Sequence, residues 1–128
     1  MNLESRHAAR CDTASISDAA DSIGLPSGWL PSIRPRCMGT AASGPAYTVS
    51  YRAVDRRRNV GGRAADFIDD VPAGAVVVTV NPTSRACTTW GDLLTLTAVN
   101  RGIAGTVVSG FARDLRTIRE QKYPLFST

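Results

Sequence analysis

The residues best equipped for chemistry lie in one stretch, TTWGDLLTLTAVNRGIAGTVVSGFARD, residues 88–114. It holds a carboxylate, Asp92, directly after a Trp90-Gly91 turn, and an Arg113-Asp114 pair after an apolar run closed by Gly110. In α/β sheets, ligands bind beyond the carboxyl ends of strands and near helix N-termini, where unpaired N–H groups and the helix dipole favour anions. Gly91, Asp92, Leu93 and Leu94 would open one helix, and residues 110–114 follow the next strand. If the two strands are neighbours, both turns face one pocket. That pocket would present the N–H groups of Leu93 and Leu94, the guanidinium of Arg113, and the carboxylates of Asp92 and Asp114. Arg is the natural bidentate partner of a carboxylate substrate. Two Asp with water suit a hard divalent cation, Mg²⁺ or Mn²⁺, which can polarise a keto oxygen and stabilise an enolate. The combination reads as a site for a small 2-oxo acid. A structural reading stays open beside it, with Asp92 complementing its helix dipole from the first turn and Arg113-Asp114 forming a surface ion pair in which Asp114 caps a helix.

Other constellations carry less. There is no GxSxG, P-loop or HExxH motif. His7 is the single histidine and falls in residues 1–11, read as a mobile N-terminus, which argues against a histidine-dependent triad. Cys11, Cys37 and Cys87 are an odd number without CxxC spacing, so neither a disulfide framework nor a zinc site is expected. Cys87 falls near the supposed pocket but has no base beside it in the sequence. Gly61-Gly62 is too short to cradle a phosphate and reads as a turn. The net charge of +4 invites a nucleic-acid partner. Yet Arg56-Arg57-Arg58 is the one basic run, and no aromatics alternate with it as single-strand binding requires, so nucleic acid is not an expected partner.

The elements that position these residues follow from composition and period. At 128 residues, 43% hydrophobic and 20% charged, the chain reads as a single domain, 1–128. No apolar run is long enough to span a membrane and MNLESRHAAR has no apolar core of the signal-peptide kind, so a cytoplasmic location is expected. Residues 12–23 predict a short amphipathic helix with Asp12 or Thr13 as cap, Ile16, Ala19, Ala20 and Ile23 on one face, and Gly24 as its end. Residues 25–44 are rich in Pro, Ser and Gly and should be irregular, with a short strand near Cys37-Met38. The alternation of residues 46–54 predicts a strand, and residues 63–70 a short helix with Ala64, Phe67 and Ile68 inward. Residues 75–80 are continuously apolar, as in strands covered on both faces. The Asp92–Asn100 helix should turn either Leu93, Leu96 and Val99 or Leu94, Thr97 and Ala98 to the core. A strand over 103–109, a helix over 114–122 and a strand starting at Tyr123 complete an alternation that argues for a layered α/β domain.

On these residues the sequence resembles a known family. WGDLL, RGIAGTVVSG, ARD and YPLF, with the N-terminal TASISDAADSIG and the segment FIDDVPAGAVVVTV, look like the core of the RNase E activity regulator A and class II 4-hydroxy-4-methyl-2-oxoglutarate aldolase family. Some of its members carry the older label of demethylmenaquinone methyltransferase. The likeness runs from about residue 12 to the end, and GDLL with RD at this separation is fairly specific as a pair. The resemblance implies a swivelling β/β/α fold, assembled as a homo-trimer or hexamer with active sites at subunit interfaces. It implies that Asp114 holds a divalent cation and that Asp92 positions a water on it. Arg113 would bind the substrate oxygen and help stabilise the enolate, and the turn from Gly91 to Leu94 would offer amides to the pyruvate carboxylate. The implied reaction is retro-aldol cleavage to pyruvate, often with oxaloacetate decarboxylation. The alternative is a non-catalytic oligomeric regulator with a protein partner, or a degenerate member. Ser109 and Arg116 stand where the family often has acidic residues. Relatives continue past the strand that begins at Tyr123-Pro124, so C-terminal strands, one bearing an acidic residue that reaches a neighbour's site, are expected to be missing.

Overall fold

β-Branched residues crowd three short runs, AYTVS, VVVTV and GTVVS, and each forms a strand of a parallel sheet. The computed structural model describes residues 10–26, 28–54, 64–82 and 86–128. In chain order the elements are α1 (Thr13–Ser22), β1 (Arg34–Pro35), β2 (Ala46–Ser50), a 3₁₀ helix (Asp66–Asp70), β3 (Val76–Val80) and β4 (Thr88–Trp90). They continue with α2 (Asp92–Asn100), β5 (Gly105–Ser109), β6 (Phe111–Ala112), α3 (Leu115–Glu120) and β7 (Leu125–Ser127). The main sheet has the order β1-β7-β5-β3-β2, with only β1 antiparallel to its neighbour. Parallel neighbours need a crossover, and the 3₁₀ helix, α2 and α3 lie in the three connections from β2 to β7. The chain is thus a mixed α/β layered domain, and β4 with β6 form a separate two-stranded parallel ribbon.

Register explains the core. Val77, Thr106 and Leu125 stand side by side across β3, β5 and β7, and so do Thr79, Val108 and Ser127. All six are at most 1% exposed. Ala98 of α2, Ile118 of α3, Trp90 and Tyr123 join the same buried cluster. Gly105 is required at the start of β5, because a Cβ there would sit 2.5 Å from Ala42 Cβ and 2.9 Å from the Pro124 carbonyl oxygen.

The structure differs from the sequence reading in several places. The strand expected over 46–54 ends at Ser50, although the Tyr51 N–H still donates to the Val80 carbonyl at 2.9 Å. The short helix expected over 63–70 is the 3₁₀ helix, with Ile68 buried. The short strand lies at Arg34-Pro35 rather than Cys37-Met38, on the sheet edge where a proline costs no ladder bond. Helix α1 is capped as expected, Asp12 Oδ1 accepting from the Ser15 N–H at 2.8 Å. Its apolar face is uncovered within the chain: Ile16 and Ile23 are 44% and 73% exposed, and no residue of α1 is buried. On α2 the face that packs carries Leu94, Thr95 and Ala98, leaving Leu93, Leu96 and Val99 outward. This helix is apolar nearly all round, so its period could not select a face. His7, Arg56-Arg57-Arg58 and Gly61-Gly62 lie outside the described residues. No described helix is long and apolar enough to cross a membrane.

Candidate active site at the N-terminus of α2

Strands β4 and β6 bring the two ends of the chemically equipped stretch together. They pair in parallel, Trp90 opposite Ala112, and the Arg113 N–H donates to the Trp90 carbonyl at 3.0 Å. Gly91 and Arg113 therefore emerge side by side from the carboxyl ends of adjacent strands. That is where α/β folds place ligands.

Trp90 anchors this corner. Its indole is 2% exposed, stacks on Tyr123 at a centroid distance of 6.2 Å, and donates from Nε1 to Thr95 Oγ1 at 2.9 Å. The same Thr95 hydroxyl donates to the Gly91 carbonyl at 2.9 Å. Tyr123 in turn shares a 2.9 Å hydrogen bond with Thr106 in the sheet, and burial pushes its phenol up to about 12. A chain of buried contacts thus fixes the first turn of α2 to β5.

Around that fixed turn, Leu93 N–H donates to Asp92 Oδ1 at 2.7 Å. The Asp92 N–H points at Asp114 Oδ2, 3.4 Å away, and the same oxygen lies 3.2 Å from Arg113 Nε. Asp114 occupies the position before α3 in a left-handed conformation, φ 59°, and makes no side-chain capping bond to that helix. Its carboxylate is turned toward Arg113 and α2 instead. A non-glycine residue in this region is sparsely populated and accumulates at functional sites. The pair remains solvent-facing, the Arg113 side chain 66% and the Asp114 side chain 37% exposed.

A cavity of about 350 Å³ opens on this corner. Gly91, Asp92, Leu93, Leu94 and Arg113 line it, whereas Asp114, paired with Arg113, is not part of its wall. Cys87 does line it, with its sulfur accepting from Asn81 Nδ2 at 3.1 Å. Tyr51 is a wall residue that sequence reading missed. Its hydroxyl lies 3.2 Å from the Ala64 carbonyl and 3.4 Å from the Thr89 carbonyl, and its ring meets Phe67 edge-on. Burial, then the nearby Cys87, push its phenol up. A strand alternation running past Ser50 gave no sign that Tyr51 leaves the strand for a pocket. Ser109 is exposed at the end of β5, and Arg116 makes a 3.1 Å surface pair with Glu120.

The carboxylates at this corner are Asp92 and Asp114. Among the described residues no three His, Cys, Asp or Glu side chains come together. One or two carboxylates at a solvent-facing corner suit Mg²⁺ or Mn²⁺, which keep several waters.

The RraA-like family model, described as Aldolase/RraA, matches residues 13–128. Protein DlpA of Legionella pneumophila is 45% identical over 118 residues, 92% of this chain and 19% of DlpA. The chain therefore spans about a fifth of that curated relative. A solved, uncharacterized protein from Pseudomonas syringae pv. tomato is 44% identical with a TM-score of 0.85, over 96% of this chain and 54% of the other. Streptomyces coelicolor RraAS2, described as an unusual member of the RNase ES inhibitor RraA protein family, is 25% identical with a TM-score of 0.83, over 100% of this chain and 63% of its own.

Proposed function

Because the chain belongs to the RraA-like, Aldolase/RraA family, we propose that the corner between β4, β6 and α2 is the active site of a divalent-metal-dependent lyase for 2-oxo acids. The observation that carries this reading is the convergence of Asp92, Arg113 and the first turn of α2 on one cavity, with the Asp114 carboxylate against them.

Each residue has a physical role in that chemistry. The guanidinium of Arg113 pairs with the substrate's oxygens and holds the negative charge that grows there as the enolate forms. The N–H of Leu94, in the first turn of α2 where no intrahelical acceptor exists, faces the carboxylate end of the substrate together with the positive end of the helix dipole. Asp114, with Asp92 acting through water, would hold Mg²⁺ or Mn²⁺. When bound, the cation supplies Lewis-acid polarisation of the 2-oxo group. Asp92 Oδ1 already accepts from Leu93, and the other carboxylate oxygen receives the proton of the substrate's C4 hydroxyl, directly or through a water. The C3–C4 bond then breaks. C4 becomes a carbonyl, the electron pair passes into the pyruvate enolate, and a proton returned to C3 completes pyruvate. Oxaloacetate would follow the same course with carbon dioxide leaving instead of an aldehyde or ketone.

The exposed Leu93, Leu96, Val99 and Phe111 support self-association as a trimer or hexamer. A non-catalytic regulator that binds a protein partner is the second reading, favoured by the likeness to the Streptomyces RNase ES inhibitor family member. The two separate on mutation. Arg113→Ala and Asp114→Ala are expected to abolish pyruvate release while leaving the circular dichroism and thermal midpoint unchanged, since both side chains are solvent-facing. Variants that retain full activity would overturn the site assignment.

A further inference from the structure

Asp114 stands before α3 at φ 59°, makes no side-chain capping bond to that helix, and has a side chain 37% exposed. A carboxylate so placed has several rotamers open to it, and its hydrogen-bond partners decide which one it keeps. Oδ2 has two partners, and they differ in firmness. Arg113 Nε, 3.2 Å away, is carried on a side chain 66% exposed. The Asp92 N–H, 3.4 Å away, belongs to the backbone at the start of α2.

That N–H shares its peptide group with the Gly91 carbonyl, which is gripped from the core. The carbonyl accepts from the Thr95 N–H at 3.1 Å and from the Thr95 hydroxyl at 2.9 Å. The hydroxyl accepts in turn from Trp90 Nε1 at 2.9 Å. A threonine hydroxyl has one proton to give, and Thr95 commits it to Gly91. Thr95 is 0% and Trp90 2% exposed, so water does not compete for either bond. Branching at Cβ further restricts the rotamer of Thr95. Hydrogen bonds in such a chain polarise one another, and donation into the Gly91 carbonyl makes the N–H of the same peptide group a better donor. A continuous line thus runs from the Trp90 indole through Thr95 and the Gly91–Asp92 peptide to Asp114.

We infer that Thr95, with Trp90 behind it, is a positioning residue that sets the orientation of the Asp114 carboxylate through the Gly91–Asp92 peptide. Thr95 acts from the core and is assigned no contact with substrate or cation. The inference rests on the lyase reading for what Asp114 would hold; how Asp114 is held follows from the hydrogen bonds alone. Removing a group that orients a metal-binding side chain typically weakens metal binding by about 10- to 100-fold.

Two readouts on the full chain, taken well below the onset of unfolding, test this without turnover. One is the pair of NMR resonances of the Asp92 amide proton and the Asp114 carboxylate carbon, recorded without metal. The other is the dissociation constant of Mn²⁺ alone, from electron paramagnetic resonance. Thr95→Val keeps the side chain's shape and removes its hydroxyl; it should shift both resonances and weaken Mn²⁺ at least about tenfold. Thr95→Ser should return both resonances to their wild-type positions and Mn²⁺ affinity to within about threefold of wild type. Trp90→Phe, which keeps a ring against Tyr123 but removes the donor to Thr95, should move both readouts the same way by less, and serves where Thr95→Val does not fold. Val77→Ala thins the core in β3 and removes no atom of the line, so both readouts should stay at wild-type values. An Asp114 resonance that ignores Thr95→Val, wild-type Mn²⁺ affinity in that variant, or equal weakening by Val77→Ala would overturn the inference. A wild-type protein that binds no Mn²⁺, yet shows the two resonance shifts in Thr95→Val and their reversal in Thr95→Ser, would refute the metal-dependent lyase reading and leave the positioning of Asp114 standing.

Discussion

Replacing Gly91 by alanine should separate the site from the fold. Gly91 has φ −155° and ψ −166°, extended backbone open to any residue, so alanine brings no conformational strain. What it brings is a methyl group 2.8 Å from Asp114 Oδ2, 3.2 Å from Arg113 Nε and 3.3 Å from Arg113 Cγ. Ordinary contact begins at 3.4 Å, so the carboxylate must retreat by about 0.6 Å and the guanidinium by less. Both side chains are flexible and solvent-facing, so the fold can absorb the shift. The entropy that alanine removes from the unfolded chain, worth about 0.4–1 kcal/mol, offsets the residual cost. Stability should therefore change by less than about 1 kcal/mol, while a displacement of this order at reacting groups should lower kcat/KM by roughly ten- to a hundredfold. The assay is pyruvate release paired with thermal unfolding of the same preparations. Gly105→Ala is the control: its Cβ meets Ala42 and the Pro124 backbone, which cannot swing aside, and overpacking of this kind costs about 1–3 kcal/mol. A Gly91→Ala protein with wild-type kcat/KM would refute the reasoning, because Arg113 and Asp114 could not then act from where they stand.

Two further expectations concern the scaffold. Thr95→Val leaves the Trp90 indole N–H buried without an acceptor and should cost about 1–3 kcal/mol in urea denaturation, whereas Thr95→Ser, which keeps the hydroxyl, should retain most of the stability. Tyr123 has its phenol raised from 10.0 to about 12, so its contribution is fully present below pH 10 and is lost as pH rises toward 12, the unfolded chain ionising first. The unfolding free energy should fall there by up to about 1.4 kcal/mol per pH unit on its account, and Tyr123→Phe should remove that part of the slope.

The sequence made the middle of the molecule legible because the signals there were local and strong. Valine-rich runs bounded by Gly74, Gly102 and Gly110 marked β3 and β5, and Gly91 and Arg101-Gly102 bracketed α2 to the residue. The conditional step, that the turns at Gly91 and Arg113 share a pocket if their strands are neighbours, rests on β3 and β5 pairing, which they do. Nothing local announced β4 and β6. Strands of three and two residues exist because each completes the other, and only tertiary structure brings Trp90 beside Ala112. Helix α1 was legible as an amphipathic helix from the spacing of Ile16 and Ile23, but spacing does not say what covers that face, and within the chain it stays exposed. Tyr51 was missed because a residue just beyond a strand looks like one more alternating position, and its role depends on Ala64 and Thr89, 13 and 38 residues away.

The central claim meets its most direct test in a single measurement: pyruvate release by the purified protein from 4-hydroxy-4-methyl-2-oxoglutarate and oxaloacetate, with Mg²⁺ or Mn²⁺ and again with EDTA. Release that depends on the cation and exceeds the metal-only background is the expected result. No release above that background, from protein shown to be folded and oligomeric, would contradict a lyase at the corner of β4, β6 and α2.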